Sequence, residues 1–518
     1  MCGILFTNNP NVKKGDFINA LNLMEHRGPD VSGCYSSFGN IQLGHNRLSI
    51  IDLDNRSNQP FNSADKRYSI IFNGEIYNFR ELAEKYNIRQ KTSGDTEVLI
   101  ELFAQRGPRM LDELNGMFAL CIVDAKTRDI FIARDRLGIK PLYIINKTEG
   151  LTVASEIAPL LKLSDKTEFD EIGLRQYRKL RTFFNGRTAF KGISMFPAGH
   201  YMLGGKTVRY WRLSEGEQRP PSDEELQWLI KSAVEYRCIS DVEVGSYLSG
   251  GLDSTIIAAL AKKPHTWTVG FPDKNEFKWA RKAAEYLKTS HYEIKLHKEE
   301  FIELARFMFE KRNEPLSVPN EVLLYKMTKA VKKKNTVILS GEGADELFFG
   351  YHRIFQWAFR NKWDIKEFDT RYSYGSNDDL EIIEDVIAPF KSYGSCVNIV
   401  AAFFQTAHLH GLLRRLDNST MICSVEARVP FVDHRLVERM AGVPFEYRME
   451  KGIVKAPLKR IFRDVVPDEI INREKVGFPV PPGYMGFDIS PSAKMPMDRW
   501  LEFNLKQLQR KFALCIRQ

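Results

Sequence analysis

At Tyr210-Trp211 the rhythm of this 518-residue sequence changes. Before that point, short β-prone runs are punctuated by turn residues: Ile41-Gln42-Leu43-Gly44-His45, Tyr68-Ser69-Ile70-Ile71-Phe72, Phe118-Ala119-Leu120-Cys121-Ile122-Val123 and Ile130-Phe131-Ile132-Ala133. Helical stretches at 79–86 and 96–105 are inserted among them. This pattern predicts stacked, largely antiparallel sheets with helices outside. Residues 212–225 are polar and carry the pair Pro220-Pro221, the signature of a linker. Beyond it, short apolar runs at 244–248, 266–271 and 336–339 alternate with helical stretches at 255–262 and 277–287. Such alternation predicts a parallel sheet with helices on both faces and ligands at the carboxyl ends of its strands. The expected division is 2–211, a linker at 212–224, and 225–518.

Composition excludes several classes. At 43% hydrophobic and 27% charged, with no low-complexity segment or repeat, the chain is neither disordered, collagenous nor coiled coil. Its seven cysteines are scattered, with no C-x-x-C pair and no zinc-like spacing, so neither a disulfide framework nor a structural zinc is expected. The longest strongly apolar stretch, 397–404, is far short of the roughly 18 residues that span a bilayer. With no charged-then-apolar leader, the expectation is a cytoplasmic protein without membrane insertion. A balance of 75 Lys+Arg against 66 Asp+Glu leaves +9, a weak field read as a solvated basic surface. Lys332-Lys333-Lys334 suits the negative end of a helix dipole. No aromatic-basic recognition module is present, so no nucleic-acid partner is expected.

The first chemistry lies at the amino end. Removal of the initiator methionine from Met1-Cys2-Gly3-Ile4 would give Cys2 a free α-amine beside its thiol. With an unperturbed pKa of roughly 8, that amine can serve as the thiol's general base. Attack on a carboxamide needs donors for the oxyanion, and Asn73 and Gly74 follow directly on the run 68–72: a side-chain amide and a backbone N–H. Arg47 offers a planar fork for an α-carboxylate, and Glu75 and Asp95 offer acceptors for an α-ammonium.

Together, Met1-Cys2-Gly3-Ile4, His26-Arg27-Gly28-Pro29-Asp30, Arg47-Leu48-Ser49-Ile50, Asn73-Gly74-Glu75-Ile76-Tyr77-Asn78 and Arg134-Asp135-Arg136-Leu137-Gly138-Ile139-Lys140-Pro141-Leu142-Tyr143 resemble the glutaminase domain of the class II, N-terminal-nucleophile amidotransferases. The resemblance implies an αββα sandwich in which Cys2 attacks the glutamine side-chain amide through a thioester. It also implies that Asn73 and Gly74 form the oxyanion hole and that Arg47, Glu75 and Asp95 hold the glutamine backbone.

The second chemistry lies beyond the linker. Ser249-Gly250-Gly251-Leu252-Asp253-Ser254 follows a strand and opens a helix, so its amides and hydroxyls can wrap a pyrophosphate. No GxxxxGK[ST] loop is present. The hexapeptide resembles the pyrophosphate loop of ATP-pyrophosphatases, implying a doubly wound adenylating domain. There Leu248, Ser249, Gly250, Gly251, Asp253, Ser254, Val269, Ser340 and Gly341 contact ATP, and Asp253 and Asp345 hold Mg²⁺. The segment 339–351 resembles the corresponding loop of asparagine synthetases, which assigns Glu342 to proton handling and Asp345 to the metal. The segment 425–434 is a further signature of that family, and Glu426, Arg428 and Asp433 are expected to frame the acceptor. Arg473-Glu474-Lys475-Val476-Gly477-Phe478-Pro479 resembles its late basic segment, with Lys475 neutralising phosphate charge.

The resemblance runs from Cys2 to about Pro482 and implies a glutamine-dependent amidotransferase. It would adenylate a small carboxylate with Mg-ATP and amidate it with internally passed ammonia. Aspartate is the default acceptor. Departures at 272–278, at 372–380 and in the proline-bearing tail after Phe478 keep open another acid, such as a uronic acid sugar. Homodimers are common among such enzymes, so a homodimer is an allowed assembly.

Overall fold

The structure is a computed structural model and describes residues 2–164, 166–373, 378–473, 480–485 and 496–512. Two six-stranded antiparallel sheets come first. One is ordered Ser194–Met195, Tyr143–Lys147, Gly150–Ala154, Gly3–Thr7, Ile41–Arg47, Val31–Phe38, and the other Lys206–Arg209, His200–Leu203, Ile130–Arg134, Gly116–Asp124, Tyr68–Ile76, Phe61–Asn62. Alternation along the strands assigns the faces. Ile4 and Phe6 meet Ile71, Ala119, Cys121 and Val123 between the sheets, while Leu5 turns outward into a cluster with Phe17 and Leu21 of the helix Lys14–Asn22. On the far side, Ile70 and Phe72 share that larger cluster with Val98 and Leu102 of the helix Asp95–Arg106. Helix, sheet, sheet and helix are stacked, as the first half of the sequence predicts.

The second half builds a five-stranded parallel sheet, ordered Ser290–Lys295, His265–Gly270, Val244–Tyr247, Val337–Leu339, Glu426–Arg428. Val244–Tyr247 is buried at every residue, as a central parallel strand must be. The strand Glu426–Arg428 is a departure, because the sequence reading predicts no strand in that segment. The apolar stretch at 397–404 is another. It opens a continuous helical run, Cys396–Met421, long and apolar enough by composition to cross a membrane, yet 61% of its most apolar window is buried inside the protein. Phe404–His408 forms a π-turn within it.

The two halves meet through buried charge. Arg27, wholly buried, donates to the Cys2 carbonyl at 3.2 Å, to Glu156 at 3.1 Å and to Asp417 at 3.0 Å. Burial opposes ionisation of Glu156, but His26 and Arg27 outweigh it and hold the carboxyl at about 2 against an ordinary 4.5. A depressed carboxylate contributes stability above its unfolded pKa and loses it as pH falls through the folded one. Glu156→Gln should therefore be less stable than the parent at pH 7, with the difference closing between pH 4.5 and about 2. Urea midpoints of both proteins across that range are the check; a constant difference would disprove the pairing.

Candidate active sites

The Cys2 backbone nitrogen donates to Asn73 Oδ1 at 3.0 Å, so the start of the chain is tied to the strand Tyr68–Ile76 of the other sheet. Asn73 is fully buried, and its Nδ2 has no hydrogen-bond partner among the described residues. A buried amide left unpaired is costly, and here the free donor lies beside the cysteine. Gly74 is required sterically, since a Cβ there would stand 2.0 Å from the Met117 carbonyl of the paired strand. Arg47 is anchored by carbonyls on the loop that follows it: its guanidinium donates to Asp54 O and Asn58 Oδ1, both at 2.8 Å, and to Asp52 O. Asp95 accepts from Ile76 N at 2.8 Å, and burial with Glu426 nearby lifts its carboxyl to about 6. Glu75 is also buried, with Oε2 unpartnered among the described residues. Burial pushes the Cys2 thiol up, while Leu48 N–H and Arg47 pull it down, so the net effect leaves it in need of a base.

At the carboxyl ends of the parallel strands opens a cavity of about 630 Å³. Leu248, Ser249, Gly251, Asp253, Ser254, Val269, Ser340, Gly341, Glu342 and Asp345 line it. Gly250 instead backs the loop. Its φ of +71° is left-handed, and a Cβ would meet the Trp279 backbone at 2.4 Å. Ser254 Oγ bonds Ser249 N at 3.2 Å and Ser249 Oγ at 3.1 Å, which closes the loop on itself at the start of the helix Leu252–Ala261.

Lys455 lines the same cavity. Its Nζ lies 2.5 Å from Asp253 Oδ2 and 2.6 Å from Asp345 Oδ1. Burial works against its charge, and the two carboxylates outweigh burial and raise its pKa. Its backbone is left-handed at φ +55°, a strained conformation for a lysine, held by a bond from its N–H to Phe348 O at 3.2 Å. Two carboxylates converging on one cationic point are oxygen donors of the type a hard divalent cation takes. Among the described residues no group of three or more His, Cys, Asp or Glu is placed to hold a metal ion. On another wall Arg415 Nη2 lies 3.4 Å from Glu342 Oε1. Burial and Asp345 lift the neighbouring Glu346 to about 8, and it accepts from Tyr351 Oη at 2.6 Å.

Comparison with known proteins gives a family match for each half of the chain. The asparagine synthase family profile matches residues 225–500, and the glutamine amidotransferase domain profile matches residues 1–211. The chain belongs to the asparagine synthetase family. Glutamine-hydrolyzing asparagine synthetase 1 of Bacillus subtilis is 29% identical over 98% of this chain and 90% of its own length. Asparagine synthetase B of Escherichia coli is 29% identical over 93% and 82%, and asparagine synthetase 3 of Arabidopsis thaliana 29% over 94% and 80%. Among solved structures, the allosteric regulatory enzyme of purine biosynthesis overlaps 56% of this chain and 64% of its own at 15% identity, with a TM-score of 0.33. As a member of the asparagine synthetase family the protein is a glutamine-hydrolysing ligase, joining a glutamine amidotransferase region to one for ATP-dependent amidation.

Within that family frame three expected acceptor residues require correction. Glu426, Arg428 and Asp433 are buried, and none lines the cavity. Glu426 and Arg428 pair with each other at 2.5 Å on the sheet edge. Asp433 caps the helix His434–Met440 and accepts from Arg237 at 2.8 Å and from Asn115 of the N-terminal sandwich at 3.3 Å. All three are spent on the junction between the two halves. Lys475 lies outside the described residues. Arg473, two residues earlier, lines the cavity and donates to Gly250 O at 2.9 Å. Lys455 and Arg415 were missed from sequence. The one local signal at Lys455 is the Pro457 that starts a helix two residues later, and its carboxylate partner Asp253 is 202 positions away.

Proposed function

We propose that the protein amidates aspartate to asparagine, using glutamine as nitrogen donor and Mg-ATP as activator. With the methionine removed, the Cys2 α-amine, facing Asn73 Oδ1, takes the thiol proton as sulfur attacks the glutamine δ-carbon. Asn73 Nδ2 and Gly74 N–H receive the oxyanion, ammonia leaves, and water cleaves the thioester to glutamate. Arg47 takes the α-carboxylate, and Glu75 and Asp95 take the α-ammonium. The observation that carries this half is the unpaired, buried Asn73 Nδ2 beside Cys2.

In the second cavity the Ser249-to-Ser254 loop wraps the ATP phosphates, and Val269 and Leu248 flank the nucleotide. Magnesium, which Asp253 and Asp345 would hold together with phosphate oxygens, supplies charge neutralisation at the α- and β-phosphates. Lys455 adds a fixed positive charge where pyrophosphate leaves. The acceptor carboxylate displaces pyrophosphate, ammonia attacks the acyl-adenylate, Glu342 accepts the surplus proton, and AMP departs. Ammonia passes internally, which keeps it from becoming ammonium in bulk water. What favours an amino acid as acceptor is the opposed pair Arg415 and Glu342, a cation for the α-carboxylate and an anion for the α-ammonium.

Pyrophosphate release from Mg-ATP and glutamine across a panel of acceptors tests the reading, with the amide confirmed by mass spectrometry. Aspartate should give release at least about 10-fold above any acid lacking the α-amine, as expected for a charged hydrogen bond. Glutamine hydrolysis with silence on aspartate and release with a uronic acid sugar would replace aspartate as acceptor while leaving the chemistry intact.

A further inference from the structure

Arg428 lies on the edge strand of the parallel sheet, yet one arm of its guanidinium reaches the other half of the protein. The side chain is fully buried. Nε donates to Glu426 Oε1 at 2.5 Å, and Nη1 donates to the carbonyls of Arg237 at 2.9 Å and Ile239 at 2.6 Å. Nη2 has no hydrogen-bond partner among the described residues and lies 3.7 Å from Glu75 Oε1. Glu75 Oε2 is in turn buried and unpartnered among those residues. A guanidinium with two nitrogens tied to its own half and the third aimed at a carboxylate of the glutamine site is a built contact across the junction.

We propose that Arg428 is a positioning residue of the glutamine site, bracing Glu75 from across the junction as an acceptor for the α-ammonium of the amide donor. The proposal rests on the reading of Glu75 given above. Its physical basis is the charge around Glu75. Burial, Glu426 on the same strand as Arg428 and Asp95 at the start of its helix lift the Glu75 carboxyl well above the ordinary carboxylate range, and Arg428 pulls it back toward the anion. A protonated carboxyl is a poor receptor for an ammonium, so removing Arg428 weakens ammonium recognition without touching a substrate atom. The Tyr77 ring, 5.5 Å from the guanidinium, supports the same orientation.

The test compares L-glutamate with glutarate, which lacks only the α-amine, as competitive inhibitors of glutamine hydrolysis by the full-length enzyme. Glu75→Gln should weaken glutamate about 10- to 100-fold, the worth of a charge-assisted hydrogen bond, and leave glutarate within about 3-fold. Arg428→Met should show the same selective loss, and the loss should shrink as pH rises because deprotonation then restores the Glu75 anion without the guanidinium. Arg428→Lys, whose single ammonium cannot hold Glu426 and face Glu75 together, should show it to a lesser degree and decides the matter if the methionine variant does not fold. Equal loss of both inhibitors, or loss of neither, in the Arg428 variants beside a selective Glu75→Gln overturns the proposal and leaves the reading of Glu75 standing. A non-selective Glu75→Gln overturns that reading, and the proposal with it.

Discussion

Cys2→Ala is expected to abolish glutamine-dependent amidation, with glutamine hydrolysis down by about 10³-fold or more, while amidation from added ammonium salt persists. The expectation follows from where the residue sits. Cys2 immediately precedes the strand Gly3–Thr7 and bonds Asn73 through its backbone, and it is absent from the lining of the second cavity. Alanine keeps the backbone donor and the strand register, so the loss would be chemical rather than structural. Hydrolysis and pyrophosphate release measured side by side, with glutamine and then with ammonium chloride, give the result. Equal loss of both activities in a folded variant would break the assignment of one reaction to each half.

Lys455→Met is expected to produce the reverse pattern. Acceptor-dependent pyrophosphate release should fall by about 10²- to 10³-fold, the usual cost of losing a fixed charge at a transition state, while glutamine hydrolysis continues. The substitution leaves Asp253 and Asp345 facing each other without the ammonium between them, so melting temperature should drop. Added magnesium should recover more of that drop in the variant than it adds to the parent, because the vacated point between the carboxylates then accepts the divalent ion. Unchanged pyrophosphate release would remove Lys455 from the adenylation site. A melting temperature indifferent to magnesium in both proteins would remove the carboxylate pair from its metal role.

The two lysines show how far the sequence could be read. Lys475 drew attention because it sits in a compact basic motif, whereas Lys455 sits among residues with no chemical character of their own, Ile453, Val454, Ala456 and Pro457. Its environment consists of Asp253 and Asp345, each on a different segment, so no local window contains the site. Asp253 was legible for the opposite reason: its partners Ser249, Gly250, Gly251 and Ser254 lie within a few positions, and a strand-turn-helix motif places them together. Asn73 and Gly74 were legible in the same way, on one strand and in one register.

Glu426, Arg428 and Asp433 mark the limit from the other side. Charged residues in a signature segment read as a frame for the acceptor, and by composition nothing contradicts that. Burial is a property of the whole assembly. Only when Glu426–Arg428 pairs in parallel with Val337–Leu339 does Arg428 turn its guanidinium toward the N-terminal sandwich and away from the cavity.

Sequence by itself determined the change of architecture near residue 211, the strand-and-helix rhythm of each half, and the local geometry of the Asn73-Gly74 and Ser249-to-Ser254 segments. Each of these depends on residues within one or two turns or strands of one another, where periodicity and backbone geometry act directly. The tertiary structure alone decided that Lys455 faces Asp253 and Asp345, that Arg415 faces Glu342, and that three expected acceptor residues hold the junction instead. Those outcomes depend on long-range packing, in which a buried charge settles wherever the completed fold supplies its counter-charge.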